Sequence, residues 1–298
     1  MTRPALSSPA AAQGTMRPSV LKTAMRFLRS LPAAGQLGLA IVSAWLLVAL
    51  FGPVFAPYDI GRVVADDVFA GFSAKHPLGS DYLGRDVMSR LFYGVRYTVG
   101  LAFAGALLAS ATGTIFALVA AVTGRWVDEI LSRFMDALVS IPSKILALVI
   151  VAAFGSSIPL LLLVAAVTYV SGAYRIARSM AVNINAMDYV QVARARGEGG
   201  YYIACAEILP NMINPMLADF GVRFVFVVLL LSGLSFLGLG VQPPNADLGS
   251  LVRENISGLW EAAPAIMMPA LAIATLTIGV NLAIDSLPGS SRRFAGKP

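Results

Sequence analysis

Charged residues spaced to meet on a helix face carry whatever chemistry this 298-residue chain performs. Asp219 and Arg223 stand four apart at the start of an apolar run, so their side chains can meet on one helix face. Such a pair is either a latch that opens and closes or a self-neutralising couple whose arginine snorkels toward water. Arg133 and Asp136, one turn apart, admit the same two readings. Residues 79–96 hold Asp81, Arg85, Asp86, Arg90 and Arg96. A helix running on from Asp86 would make Asp86–Arg90 a further i,i+4 pair, with the rest of the charges solvated along an amphipathic face.

The longest polar feature is DYVQVARARGEGGYYIACAEILPNMINP, residues 188–215. It reads as two short helices, 189–196 and 201–208, flanking a break at Gly197, Gly199 and Gly200. Pro210 and Pro215 would then close the unit. It is either a shape that another protein can grip or an ordinary solvated loop.

Bond-making chemistry is not expected. Ser, Asp and the lone histidine, His76, form no recognisable nucleophile motif, so no catalytic residue is assigned. The single cysteine, Cys205, excludes an internal disulfide and a cysteine metal site. Nothing fits the phosphate-cradling pattern G-x-x-x-x-G-K-[ST], and GEGG at residues 197–200 lacks the preceding strand of a nucleotide fingerprint. No cofactor is expected on this chain, and driving energy must come from a partner or a gradient.

The elements that must position these residues are membrane helices. The chain is 57% hydrophobic and 13% charged, with a mean hydropathy of +0.76. Its net charge of +6 is explained by basic loops rather than by nucleic-acid binding. Uncharged windows at residues 31–58, 97–124, 224–246 and 262–284 each hold a span of about 20 residues. Residues 145–174 are too short for two spans, and the turn at 155–159 divides them. The third span therefore starts near Leu131, carrying Arg133, Asp136 and Lys144, and the fourth runs from Pro159 to about Arg175. The expected fold is all-α with six transmembrane helices, the first of them uncleaved. Arg3, Arg17, Lys22, Arg26 and Arg29 precede the first window with no acid among them, and Arg125, Arg175, Arg178, Arg194 and Arg196 fall on the same side. That excess places both termini and the 188–215 segment in the cytoplasm. Residues 1–34 form a tail ending in an interfacial elbow helix, with Val20, Leu21, Phe27 and Leu28 on one stripe and Lys22 and Arg26 opposite. Residues 1–16 are expected to be disordered, residues 35–287 make the membrane domain, and residues 288–298 make a second cytoplasmic tail.

Two further motifs identify a family. HPLGSDYLGRDVMSRLFYGVRYTVG at residues 76–100 and LSFLGLGVQPP at residues 234–244 flank the 188–215 segment. In this order they resemble the permease subunits of binding-protein-dependent ABC importers, and among these the C-type permease of the dipeptide/oligopeptide/nickel group. The likeness runs from about residue 20 to Leu287. Residues 188–215 resemble that family's cytoplasmic EAA loop, with Gln191-Val192-Ala193 standing for Glu-Ala-Ala, Gly197 for the loop glycine and Leu209-Pro210 for the Leu-Pro ending. The resemblance implies a type I ABC importer permease fold in a bacterial inner membrane. It implies four kinds of partner: a homologous second permease, two ATP-binding subunits that hold ATP and magnesium, an external substrate-binding protein and the lipid membrane. Coupling to the ATPases would fall to Asp188, Gln191, Ala193, Arg194, Gly197, Leu209 and Pro210. The family usually has uncharged residues at Asp219 and Arg223, which makes them an inner-gate candidate particular to this chain. Asp81, Arg85, Asp86 and Arg90 would sit at the periplasmic mouth, as a gate or docking surface for the binding protein or as a brace. Peptides are the first expectation for cargo, with nickel, opines and oligosaccharides also carried by the group. The alternative is a stand-alone, gradient-driven secondary transporter. Internal repeats, broken helices and mid-membrane acids would mark one, and none stands out in the sequence.

Overall fold

The structure is a computed structural model that describes residues 31–286; the expected elbow helix and both tails lie outside the described residues. In chain order the helices are α1 (Ala33–Phe55), α2 (Val87–Thr123), α3 (Arg125–Ser140), α4 (Ser143–Phe154), α5 (Ile158–Asn185), α6 (Asp188–Ala195), α7 (Gly200–Phe236), α8 (Leu248–Glu254) and α9 (Pro264–Asp285). The only β pairing among the described residues is a pair of isolated bridges, Val63 with Arg85 and Ser80 with Asp86. α1, α2, α5, α7 and α9 are each long and apolar enough to cross a bilayer, and α3 with α4 would make a sixth crossing if that bent pair counts as one.

α1 and α9 lie close to their sequence windows, while the middle of the chain departs from expectation. The third span is not one helix from Leu131: α3 and α4 meet at 85°. Pro142 is the cause, because its ring drives Ile141 out of the helical region, to φ −92° and ψ 124°. At 12 residues, α4 is only about 18 Å long. Arg133 and Asp136 are thus exposed on an amphipathic α3 rather than carried inside a continuous span. They do not pair with each other either. Asp136 accepts from Arg175 at 2.7 Å, and Arg133 lies 3.9 Å from Glu129.

α2 starts at Val87 rather than residue 97, because Asp86 caps it by accepting from Ser89 N–H at 2.8 Å. α5 continues to Asn185 rather than ending near Arg175. α7 departs furthest. Pro210 and Pro215 do not close a hairpin; the helix runs through both, from Gly200 to Phe236. Residues Ile203–Ile208 are π-helical, and Pro210 falls where these wider turns hand over to α turns. The fifth span therefore begins earlier than its 224–246 window and ends at Phe236, leaving residues 237–247 as a loop.

α2 and α5 form the most extensive helix pair, and small residues bring them together. A Cβ placed on Gly113 of α2 would lie 2.5 Å from Ala173 Cβ and 2.8 Å from Tyr174 N of α5. One core fills the space among α2, α5, α7, α8 and α9 around Val99, Val164, Val227 and Leu276. A second, beside α6, gathers Ala117, Met135, Tyr174, Val190, Ile208 and Met212. Gly113→Val must separate two backbones, and overpacking of this kind costs about 1–3 kcal/mol. Thermal unfolding of the detergent-purified protein should show a clear loss of stability for Gly113→Val and little for Gly100→Val, where a Cβ meets nothing within 4 Å. Equal melting temperatures for the two variants would contradict this account of the contact.

Candidate functional site

Three charged sites are distributed along the bundle. At one end, α6 is a short helix with Asp188 in its first turn and Arg194 in its last, each favourable to the helix dipole. Its inner face, Val190 and Ala193, is fully buried, Val190 within the second core. Gln191 Nε2 donates to Asn185 O at 2.9 Å and Arg194 Nη2 to Asn185 Oδ1 at 2.8 Å, while Asn185 Nδ2 donates to Ala121 O at 2.9 Å. Gln191, where the family pattern has Glu, thus ties α6 to the end of α5. Asn211 Nδ2 donates to Tyr189 Oη at 3.2 Å, which joins α6 to α7. The helix stops as the glycine spacing predicts. Gly197 takes φ +86°, its N–H donates to Arg194 O at 2.9 Å, and Glu198 N–H donates to Ala193 O at 3.2 Å. This is a Schellman cap, which needs a residue that tolerates the left-handed region. The outer face of α6 and the start of α7 leave Tyr189, Val192 and Tyr201 exposed beside Arg196. The expected coupling residues divide between two elements: Asp188, Gln191, Ala193, Arg194 and Gly197 belong to α6 and its cap, whereas Leu209 and Pro210 lie inside α7. The second half of the expected hairpin is thus the head of a span.

Halfway along the bundle, Asp219 and Arg223 pair as their spacing predicts. Arg223 Nε donates to Asp219 Oδ2 at 2.5 Å and Nη2 to Oδ1 at 2.9 Å. Their placement differs from the sequence reading. Asp219 lies about 28 Å along α7 from Gly200, not at the start of the span. Arg223 does not snorkel; both residues are buried, and Nη1 donates at 3.0 Å to Tyr169 O in the middle of α5. Around them is a cavity of about 550 Å³, walled by the Ile141–Pro142 corner between α3 and α4 and by parts of α5 and α7.

At the far end, residues 76–90 fold against α8. Asp81, Asp86 and Arg90 are almost wholly buried, so the solvated amphipathic face expected there is not what forms. The expected Asp86–Arg90 pair does not form, because Asp86 spends its carboxylate on the α2 cap, Ser89 Oγ and His76 Nδ1. Arg90 Nη1 donates instead to Asp81 Oδ2 at 2.7 Å and Glu254 Oε2 at 2.8 Å. Arg85 joins the same two acids through Nε and Nη2, at 2.7 and 2.8 Å. Two arginines and two acids thus make a neutral quartet that clamps the 76–90 segment to α8. Glu254 was missed in the sequence because it lies 164 positions from Arg90. Asp247 was missed too, although its spacing to Ser250 is a capping box that starts α8. Burial pushes the Asp247 carboxyl above the usual aspartate range, against the lowering effect of donors from Ser235 Oγ and Ser250. The lone histidine is not isolated in space, since its ring meets Asp86 at 3.2 Å.

Among the described residues there is no group of three or more His, Cys, Asp or Glu able to hold a metal. Comparison with known proteins gives a consistent result. Residues 113–289 match the family described as binding-protein-dependent transport system inner membrane component. The dipeptide transport system permease protein DppC of Alkalihalophilus pseudofirmus is 30% identical over 84% of this chain and 82% of its own length. The glutathione transport system permease protein GsiD of Pectobacterium atrosepticum is 30% identical over 88% of this chain and 87% of its own. The di/tripeptide transport system permease protein DppC of Pseudomonas aeruginosa is 29% identical over 94% of each chain. With its apolar helices, its continuous α7 and a match over more than half its length, the chain belongs to the family of inner membrane components of binding-protein-dependent transport systems, the permease subunits of ABC importers.

Proposed function

We propose that this chain forms half of the path of an ATP-driven importer of short peptides, with α6 as the surface on which an ATP-hydrolysing subunit acts. The observation that carries this is a helix exposed on one face and rooted on the other. Tyr189, Val192 and Tyr201 offer a partner an apolar contact, while Val190 belongs to the core shared by α2, α5 and α7 and Ala193 beside it is fully buried. A push on such a helix passes to the spans without loss in a loose loop. ATP and magnesium would be held by two partner subunits, and a homologous permease would complete the path. An external binding protein would deliver the cargo at the far end, near the Arg85–Arg90 quartet. Names of relatives that carry dipeptides, di/tripeptides and glutathione favour peptides as cargo. The excess of basic residues supports a cytoplasmic side for α6 and both termini in a bacterial inner membrane. Asp219 and Arg223 serve as an inner gate in this reading, because Arg223 bridges its own helix to the α5 backbone.

Three measurements test these assignments. Gly197→Pro removes the Gly197 N–H bond to Arg194 O and forbids φ +86°, so the assembled transporter should hydrolyse ATP without import; coupled import at the normal rate would refute the docking role. Cys205 is exposed at the head of α7, so a membrane-impermeant maleimide should label it in inverted vesicles and not in intact cells. The reverse pattern would turn the chain over in the membrane. For the gate, Asp219→Asn and Arg223→Gln each leave a buried partner unmatched, which costs about 3–5 kcal/mol in a buried pair. Import should fall at least tenfold in both variants, and unchanged import in a normally assembled complex would rule the gate out.

A further inference from the structure

We propose that the cavity beside Arg223 binds the carboxylate end of the transported solute, with Thr168 and Arg223 as its donors; this rests on the peptide-import reading. Three observations converge on it. First, a guanidinium has five N–H groups, and Arg223 uses three of them, two on Asp219 and one on Tyr169 O. The remaining two are buried in a chain segment where a charged donor is costly to leave unmatched. Second, Thr168 is a lining residue of the same cavity and nine-tenths buried, and its hydroxyl has no hydrogen-bond partner among the described residues. Two helical serines, Ser110 and Ser232, are likewise without a partner, but other helical threonines have one. Thr112, Thr114, Thr275 and Thr277 all return their hydroxyls to the carbonyl one turn earlier, as helical threonines do in apolar surroundings. Thr168 makes no such return bond.

Third, the charged lining favours an anion. Of the charged lining residues, Arg175 is already paired with Asp136 at 2.7 Å, and both oxygens of Asp219 are engaged by Arg223. The unused capacity is therefore donor capacity, which suits an acceptor with two oxygens and not an ammonium. The remaining walls, including Leu138, Pro142, Leu146, Val222 and Phe226, are apolar, and about 550 Å³ is within the usual range for a small-molecule site. A carboxylate attached to an apolar side chain, as at the C-terminus of a short peptide, fits both halves of the lining. Asp219 then has a defined role, holding the guanidinium charged and oriented while one solute leaves and the next arrives.

The test reads occupancy of the cavity directly, without the binding protein. Val222 lines the cavity and is 36% exposed, so Val222→Cys in a Cys205→Ser background provides a reporter thiol. Its labelling by a charged methanethiosulfonate is timed in the assembled transporter with millimolar alanyl-phenylalanine or its C-terminal amide. The free acid should slow labelling about tenfold and the amide less than about twofold, the difference expected for hydrogen bonds to a charged group. Thr168→Val, which removes a hydroxyl but breaks no bond in the fold, should abolish protection by the acid, and Thr168→Ser should retain it. Equal protection by acid and amide, no protection by either, or protection that survives Thr168→Val would each overturn the site. A transporter that imports no peptide yet shows acid-selective protection would sink the peptide reading and leave the carboxylate site standing.

Discussion

The close contact of α2 with α5 is the constraint on which the remaining structure depends. Helices in lipid gain little from burying apolar surface against one another, so they associate where backbones can come near enough for dense packing. Gly113 lets the α2 backbone reach Val170 O and Tyr174 N of α5. Around that axis the other helices find fixed places: α7 lies across both, α9 brings in α1, and α3 is tied to α5 by Arg175 and Arg178. The polar ends follow from it as well. The α6 segment hangs from the last turn of α5 through Asn185, and the Arg85–Arg90 quartet surrounds the first turn of α2.

Charge is handled in the same way throughout. Most buried ionised groups in the three sites have more than one partner, and Asp219, the exception, is held by Arg223 through two bonds. Asp81 accepts from two arginines and two backbone N–H groups, Arg223 divides its donors between a carboxylate and a carbonyl, and Asp86 serves a cap, a hydroxyl and a histidine. This multiplicity is what makes ions tolerable in a medium where an unpaired one costs several kcal/mol. It also explains why a pair that looked local in sequence, Asp86–Arg90, gives way to one spanning most of the chain. Asp86 is more useful at the helix end, where free N–H groups need an acceptor.

How much was legible in the sequence follows from how local each cause is. The Gly197 stop and the Asp219–Arg223 pair depend on residues within one turn, and both are read correctly from spacing. The partner of Arg223 on α5 lies 54 positions away, and no pattern within α7 announces it. Prolines show the limit most clearly. Pro142 breaks its helix by 85°, whereas Pro210 and Pro215 sit inside an unbroken one. The residue type is the same; before Pro210 the turns widen into the π-helical stretch packed around Ile203 and Ile208, whereas Pro215 lies in regular α-helix without such widening. Apolar windows likewise found α1 and α9 closely but placed the fifth span too late, because hydropathy does not register where a helix turns into an apolar loop.

Since α7 is a single helix of 37 residues, it behaves as a lever of about 55 Å with its handle beside α6. A tilt of about 5° about the handle would move the far end by roughly 5 Å, about one helical pitch, and Arg223 by a little over half as much. That smaller displacement exceeds the length tolerance of a hydrogen bond, so such a tilt would part Arg223 from Tyr169 O while it repacked Val227 and Leu231 in the first core.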